Sequence, residues 1–65
     1  MKDENQGTEQ RIKDAAKGLF QKKGFAATKT REIAEASETN LALVNYYFRT
    51  KKQLFDAIML ETLNV

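Results

Sequence analysis

Leu41-Ala42-Leu43-Val44-Asn45-Tyr46-Tyr47-Phe48, followed by Arg49-Thr50-Lys51-Lys52, is the stretch on which the reading of this chain turns. Asn40 stands just before it and suits a helix N-cap, because its side-chain oxygen accepts a backbone N–H that the first turn leaves without a partner. In a helix, Val44 and Phe48 lie one turn apart on one face and can anchor that face to a core. Leu41, Leu43, Asn45 and Tyr47 then project elsewhere, with a basic cluster at the helix end. Two plainer readings stay open on this run alone. All of it could be core, or Val, Tyr and Phe could make it a β-strand, since periodicity does not separate short apolar runs.

The residues on either side favour the helix. Upstream, apolar residues fall at Ile12, Ala15, Ala16, Leu19 and Phe20, the i, i+3, i+4, i+7, i+8 stripe of an amphipathic helix whose apolar side is core. Thr8 is its expected N-cap, and Glu9 suits the positive end of the helix dipole. Lys22 and Lys23 suit its last turn, and Gly24 supplies a left-handed residue just past it. Phe25 should dock back onto this first helix. A short second helix is expected from Thr28 or Thr30, alternative N-caps, to about Ala36 or Ser37, burying Ile33 and Ala34 with Ala36 at the margin. Ser37 to Asn40 is then the turn into the third helix. Downstream, Thr50-Lys51-Lys52-Gln53 fits a capping box that opens a fourth helix, with Leu54, Phe55, Ile58, Met59 and Leu63 along one side. Gly18 lies mid-helix at a cost of about 1 kcal/mol relative to Ala, with no role visible in the sequence.

These pieces define an all-α class: a small, homeodomain-like helical bundle with a helix-turn-helix, three helices plus the start of a fourth connecting helix. Residues 1–8 read as a disordered acidic tail and residues 9–65 as the single domain. At 65 residues the chain is near the size where one core is only just sufficient. Met59, Leu60, Leu63 and Val65 crowd the last residues without a stop signal. The expectation is a truncated protein whose next domain packs there, the alternative being a frayed end.

Composition narrows the chemistry. With no Cys and no His, disulfides and Cys/His zinc sites are excluded and the usual general base is missing. Asp14, Glu32, Glu35 and Tyr47 are scattered, with no nucleophile–base pairing, so no enzyme and no cofactor or metal is expected. No segment is long and apolar enough for a bilayer, and the start is not a signal peptide, so the expected setting is cytoplasmic. Charge is uneven: residues 1–9 carry one Lys against three acids, net −2, and residues 10–65 carry ten Lys/Arg against six acids, net +4. A basic body suits an anionic partner, although a solvated surface explains such a count nearly as often. A short helix showing small, apolar and aromatic tips beside Arg and Lys can enter a DNA groove while its neighbours hold phosphates.

In their order and spacing, several segments resemble the N-terminal DNA-binding domain of TetR/AcrR-family transcriptional repressors over about residues 10–60. They are Arg11-Ile12, Asp14-Ala15-Ala16, Leu19-Phe20, Lys23-Gly24-Phe25, Ala27-Thr28, Arg31 to Ala36, Tyr46-Tyr47-Phe48, Lys51 and Leu54-Phe55. The resemblance implies site residues. Thr30 matches a phosphate contact at the start of the second helix, and Thr39 and Asn40 match phosphate contacts at the turn. Leu41, Ala42 and Leu43 match positions facing base edges in the major groove. Asn45, Tyr46, Tyr47 and Lys51 match phosphate grips on either side. Arg31 matches a position that reads a base in some members only. The resemblance also implies a ligand-responsive repressor, homodimeric on a pseudo-palindromic double-stranded operator. Its small-molecule effector and dimer contacts belong to a C-terminal domain that this chain does not contain.

Some positions depart from the pattern. Many members have Gly where Glu38 sits, so either the common turn is altered or Glu38 is strained. Many have Lys or Gln at the position of Leu41, Gly at that of Ala42, and Tyr at that of Asn45. Leu41 and Leu43 donate no hydrogen bonds and can read only thymine methyls and shape. The competing reading is a helical protein-interaction module using Leu41, Leu43 and Tyr47.

Overall fold

The computed structural model describes the backbone of residues 4–63 and the side chains of residues 7–61. Four helices follow one another: α1 (Glu4–Lys23), α2 (Thr30–Ala36), α3 (Leu41–Tyr47) and α4 (Lys51–Leu63). Among the described residues there is no strand, as the all-α reading requires. Each helix contributes two side chains to the core: Ile12 and Ala16, Ile33 and Ala34, Val44 and Phe48 (the residue that ends α3), and Leu54 and Ile58. Leu19, Phe20, Tyr47 and Ala57 pack around them. Burying each large aliphatic side chain is worth about 1.5–3 kcal/mol. α1 lies against α2 and α4, and α2 against α3, so the long first helix is the platform for the helix-turn-helix.

Several local expectations hold. Asn40 caps α3, its side-chain oxygen accepting the Leu43 N–H at 2.8 Å. Val44 and Phe48 form the buried side of that helix. Gly24 ends α1 with φ 92°, its N–H donating to the Phe20 carbonyl at 2.8 Å. The Phe25 ring lies 5.3 Å from that of Phe20 and 5.4 Å from that of Phe55, so the α1–α2 connector is tied to both long helices.

Other expectations need correction. α1 begins at Glu4, so Thr8 lies inside the helix rather than capping it, and the expected tail is helical from Glu4 onward. Glu9 and Gln10, just after Gly7 and Thr8, are ordinary helix formers. The helix runs unbroken through Gly7 and Thr8 into this stretch. Residues 1–3 of the expected tail lie outside the described residues, as do Val65 and the Leu63 side chain. The N-cap of α2 is Lys29, neither of the threonines, and the Glu32 carboxylate accepts its N–H at 3.0 Å. Thr28 is instead 1% exposed, its hydroxyl placed to donate to the Gly24 carbonyl at 2.8 Å and the Leu19 carbonyl at 3.3 Å. Ala36 is exposed, and Ser37 takes the buried place at the end of α2. At α4 the Thr50 hydroxyl accepts the Gln53 N–H at 3.1 Å, but the Gln53 amide oxygen accepts the N–H of Arg49, one residue upstream of the expected partner.

Candidate nucleic-acid interface

The third helix owes its orientation to the turn before it. Ser37 closes α2, its N–H donating to the Ile33 carbonyl at 3.0 Å. The next two N–H groups turn back as well, Glu38 to the Glu35 carbonyl at 3.1 Å and Thr39 to the Ala34 carbonyl at 2.9 Å. This pair of bonds is a Schellman motif, whose pivot residue must be left-handed and is usually glycine. Here the pivot is Glu38 with φ 60°. The turn geometry is therefore kept and the residue is strained, at a cost of about 1–2 kcal/mol for an L-residue with a Cβ. The Ser37 and Thr39 hydroxyls lie 2.8 Å apart, and Ser37 Oγ also donates to the Ile33 carbonyl.

With Val44 and Phe48 turned inward, α3 shows Leu41, Ala42, Asn45 and Tyr46 to solvent, Tyr46 at 76% exposure. Leu43 is half-buried, so only part of it belongs to this face. Tyr47 is half-buried too, packed on the core and edge-on to Tyr46 at 5.1 Å. Thr39 and Asn40 stand at the head of the same helix. The Thr39 hydroxyl is engaged with Ser37, and the Asn40 oxygen is committed to the cap, which leaves the Asn40 amide NH2 as the group suited to donate outward. Thr30 is the first residue of α2, half-buried, with the exposed Arg31 beside it.

Lys51 joins the two sides of this surface. From the first residue of α4 its ammonium donates to the Phe25 carbonyl at 2.8 Å and sits 4.4 Å from the centre of the Phe25 ring. An ammonium carries three donors, so this bond positions the charge without exhausting it. The Lys23 ammonium and the Glu32 carboxylate pair across the α1–α2 connector. That pairing, with the Lys29 N–H, holds the Glu32 carboxyl below the ordinary glutamate range. The Thr39–Tyr47 segment is thus continuous, and Lys51 is linked to the connector leading into Thr30 and Arg31.

Sequence reasoning did not find the role of Arg11. Its guanidinium, on α1, donates to the Ser37 carbonyl at 2.8 Å and the Glu38 carbonyl at 3.2 Å, 26 and 27 residues away. An Arg on the polar side of an amphipathic stripe carries no sign of such a partner.

The comparisons with known proteins agree with this architecture. The family model described as "Bacterial regulatory proteins, tetR family" matches residues 12–58. The chain is similar to the probable HTH-type transcriptional regulator YttP of Bacillus subtilis, 39% identical over 54 residues, 83% of this chain and 26% of that protein. It is similar to the HTH-type transcriptional regulator QacR of Staphylococcus aureus, 44% identical over 55 residues, 85% of this chain and 27% of that one. It is also similar to the HTH-type transcriptional repressor Rv3405c of Mycobacterium tuberculosis, 46% identical over 48 residues, 74% and 26% of the two chains. No solved structure matches. The chain belongs to the TetR family of bacterial regulatory proteins. It spans about a quarter of the length of these relatives. Among the described residues no helix is long and apolar enough to cross a membrane.

Proposed function

We propose that α3 is the recognition helix of a ligand-responsive repressor. The observation that carries this reading is the division of α3 into a buried side, Val44 and Phe48, and an open side of Leu41, Ala42, Asn45 and Tyr46. Leu41, Ala42 and the open part of Leu43 face base edges in the major groove, reading thymine methyls and shape. Thr30, Thr39, Asn40, Asn45, Tyr46, Tyr47 and Lys51 supply backbone contacts, and Arg31 lies where a further base or phosphate contact can form. The whole protein is proposed to be a cytoplasmic homodimer that presents two such helices to a pseudo-palindromic operator. Its half-sites are about one helical turn apart or a little more. The small-molecule effector is proposed to act through the part of the protein beyond this domain.

Lys51 provides the test. Lys51→Ala should weaken binding to all duplexes about equally and lower the slope of log affinity against log salt by roughly one. Unchanged affinity and slope would refute this docking. A protein-interaction module using Leu41 and Tyr47 would instead show little salt dependence, because apolar contacts are not screened.

A further inference from the structure

We infer that Arg11 is a positioning residue for DNA binding: from α1 it clamps the strained turn that aims α3. The inference rests on the reading of α3 as the recognition helix. One guanidinium nitrogen, which carries two hydrogens, donates to both carbonyls flanking the Cα of Glu38, that of Ser37 at 2.8 Å and that of Glu38 itself at 3.2 Å. The peptide units on either side of the left-handed residue are thereby held by one donor group. The Glu38 carboxylate comes no closer than 4.0 Å and is 87% exposed, so the clamp acts mainly on the backbone. Arg11, Asp14, Ala15, Ala36, Ser37 and Glu38 line one shallow concavity, which places the clamp between α1 and the end of α2.

A glycine at the pivot would hold the left-handed conformation unaided. A glutamate at that position prefers φ < 0, and relaxing there would break the Glu38 and Thr39 N–H bonds to α2 and swing α3. Arg11 opposes that relaxation from outside the helix-turn-helix. Because α3 must be correctly aimed to dock, the apparent DNA affinity scales with the fraction of molecules whose turn is formed.

The experiment compares Arg11→Gln, Glu38→Gly, Glu38→Gln and the double variants in two measurements. One is amide hydrogen exchange at Glu38 and Thr39. The other is affinity for a duplex recovered from a randomised pool by the unaltered protein, titrated against salt. Arg11→Gln is expected to speed exchange at Glu38 and Thr39 about tenfold and leave the Gly24 amide unchanged. It is expected to weaken duplex binding about three- to tenfold with the salt slope intact, as for a half-exposed charged donor. In the Glu38→Gly background both effects should vanish. In the Glu38→Gln background, which removes the charge and keeps the strain, they should persist.

Unchanged turn exchange in Arg11→Gln would overturn the proposal. So would an equal loss of affinity in the Glu38→Gly background. A salt slope lowered by about one would also overturn it, since Arg11 would then be a phosphate ligand. Should Arg11→Gln not fold, Arg11→Lys carries the same comparisons. Ala42→Glu, on the open face of α3, separates this proposal from the docking reading. If it leaves duplex binding intact while the exchange results are as expected, the docking of α3 has failed and the positioning role falls with it, although the clamp stands.

Discussion

α1 and α2 both end by passing the chain through a left-handed residue, at Gly24 with φ 92° and at Glu38 with φ 60°, yet the two turns are held by different means. At the first, the residue itself favours the conformation, and a single N–H to the Phe20 carbonyl closes the helix. The buried Thr28 hydroxyl lies between the Leu19 and Gly24 carbonyls, so the partners all come from the same short stretch of chain. At the second, the residue opposes the conformation. The turn persists through the Schellman pair, the Ser37 and Thr39 hydroxyls, and a guanidinium from a different helix. At the first turn the pivot and its hydrogen bonds are local, and the contacts from α4 fall on the next residue, Phe25, through Phe55 and Lys51. A turn held by tertiary contacts couples the direction of α3 to the integrity of α1.

The sharpest way to break the comparison is to place a β-branched residue in the first turn. Gly24→Val should destabilise by about 2–3 kcal/mol, since such residues are true outliers at positive φ. An added Cβ at Gly24 meets no atom within 4 Å, so the loss would be backbone strain rather than a clash. Thermal unfolding should register it as a fall on the order of 10 °C or more for a chain of this size. Thr28→Val keeps the shape and removes the donor to two carbonyls. It should cost about 1–2 kcal/mol in a urea titration, and a smaller loss would show that water replaces the hydroxyl there.

In the second turn the sign reverses. Glu38→Gly should raise stability by about 0.5–1 kcal/mol, the relief of left-handed strain less the extra entropy of glycine in the unfolded chain. A measured loss would mean that the glutamate is not strained. The smallest expected effect lies in pH. The folded-state pKa of Glu32 is depressed, by Lys23 first and the Lys29 N–H second. Its stabilisation is therefore complete above the unfolded value, about 4.3, and is lost as pH falls through that value toward the folded one. Glu32→Gln should flatten part of the acid-side decline in melting temperature. An unaltered curve would show that the exposed pair contributes nothing.

The contrast also explains what the sequence could disclose. Asn40, Val44 and Phe48 act within one turn of helix, and the stripe from Ile12 to Phe20 repeats at helical spacing, so α3 and most of α1 were legible. Gly24 was legible for the same reason, its conformational preference being its own. The start of α1 at Glu4 was missed because Thr8 and Gly7 look like a boundary, and only the surrounding helix formers override it. The cap at Lys29 was missed because the partner that satisfies it is Glu32, three residues on, and the obvious threonine is drawn into the interior. Arg11 reaches across 26 residues, and no local pattern encodes that distance. The open face of α3 was legible as a set of positions. How much of Leu43 and Tyr47 it contains depended on the packing of the neighbouring helices.

The two tyrosines give this small domain an optical property of its own. The chain contains no Trp, and its two Tyr residues, Tyr46 and Tyr47, stand side by side on α3 with their rings 5.1 Å apart. With excitation beyond the absorption of its four Phe residues, the emission of the chain therefore originates at one end of one helix, from one ring that is open to solvent and one that leans on the core. A change in that emission on adding duplex would report directly on the Tyr46–Tyr47 corner, with no label attached. Loss of the core around Tyr47 would shift the same signal when no duplex is present. Docking and unfolding are thus both visible from a single corner of the molecule.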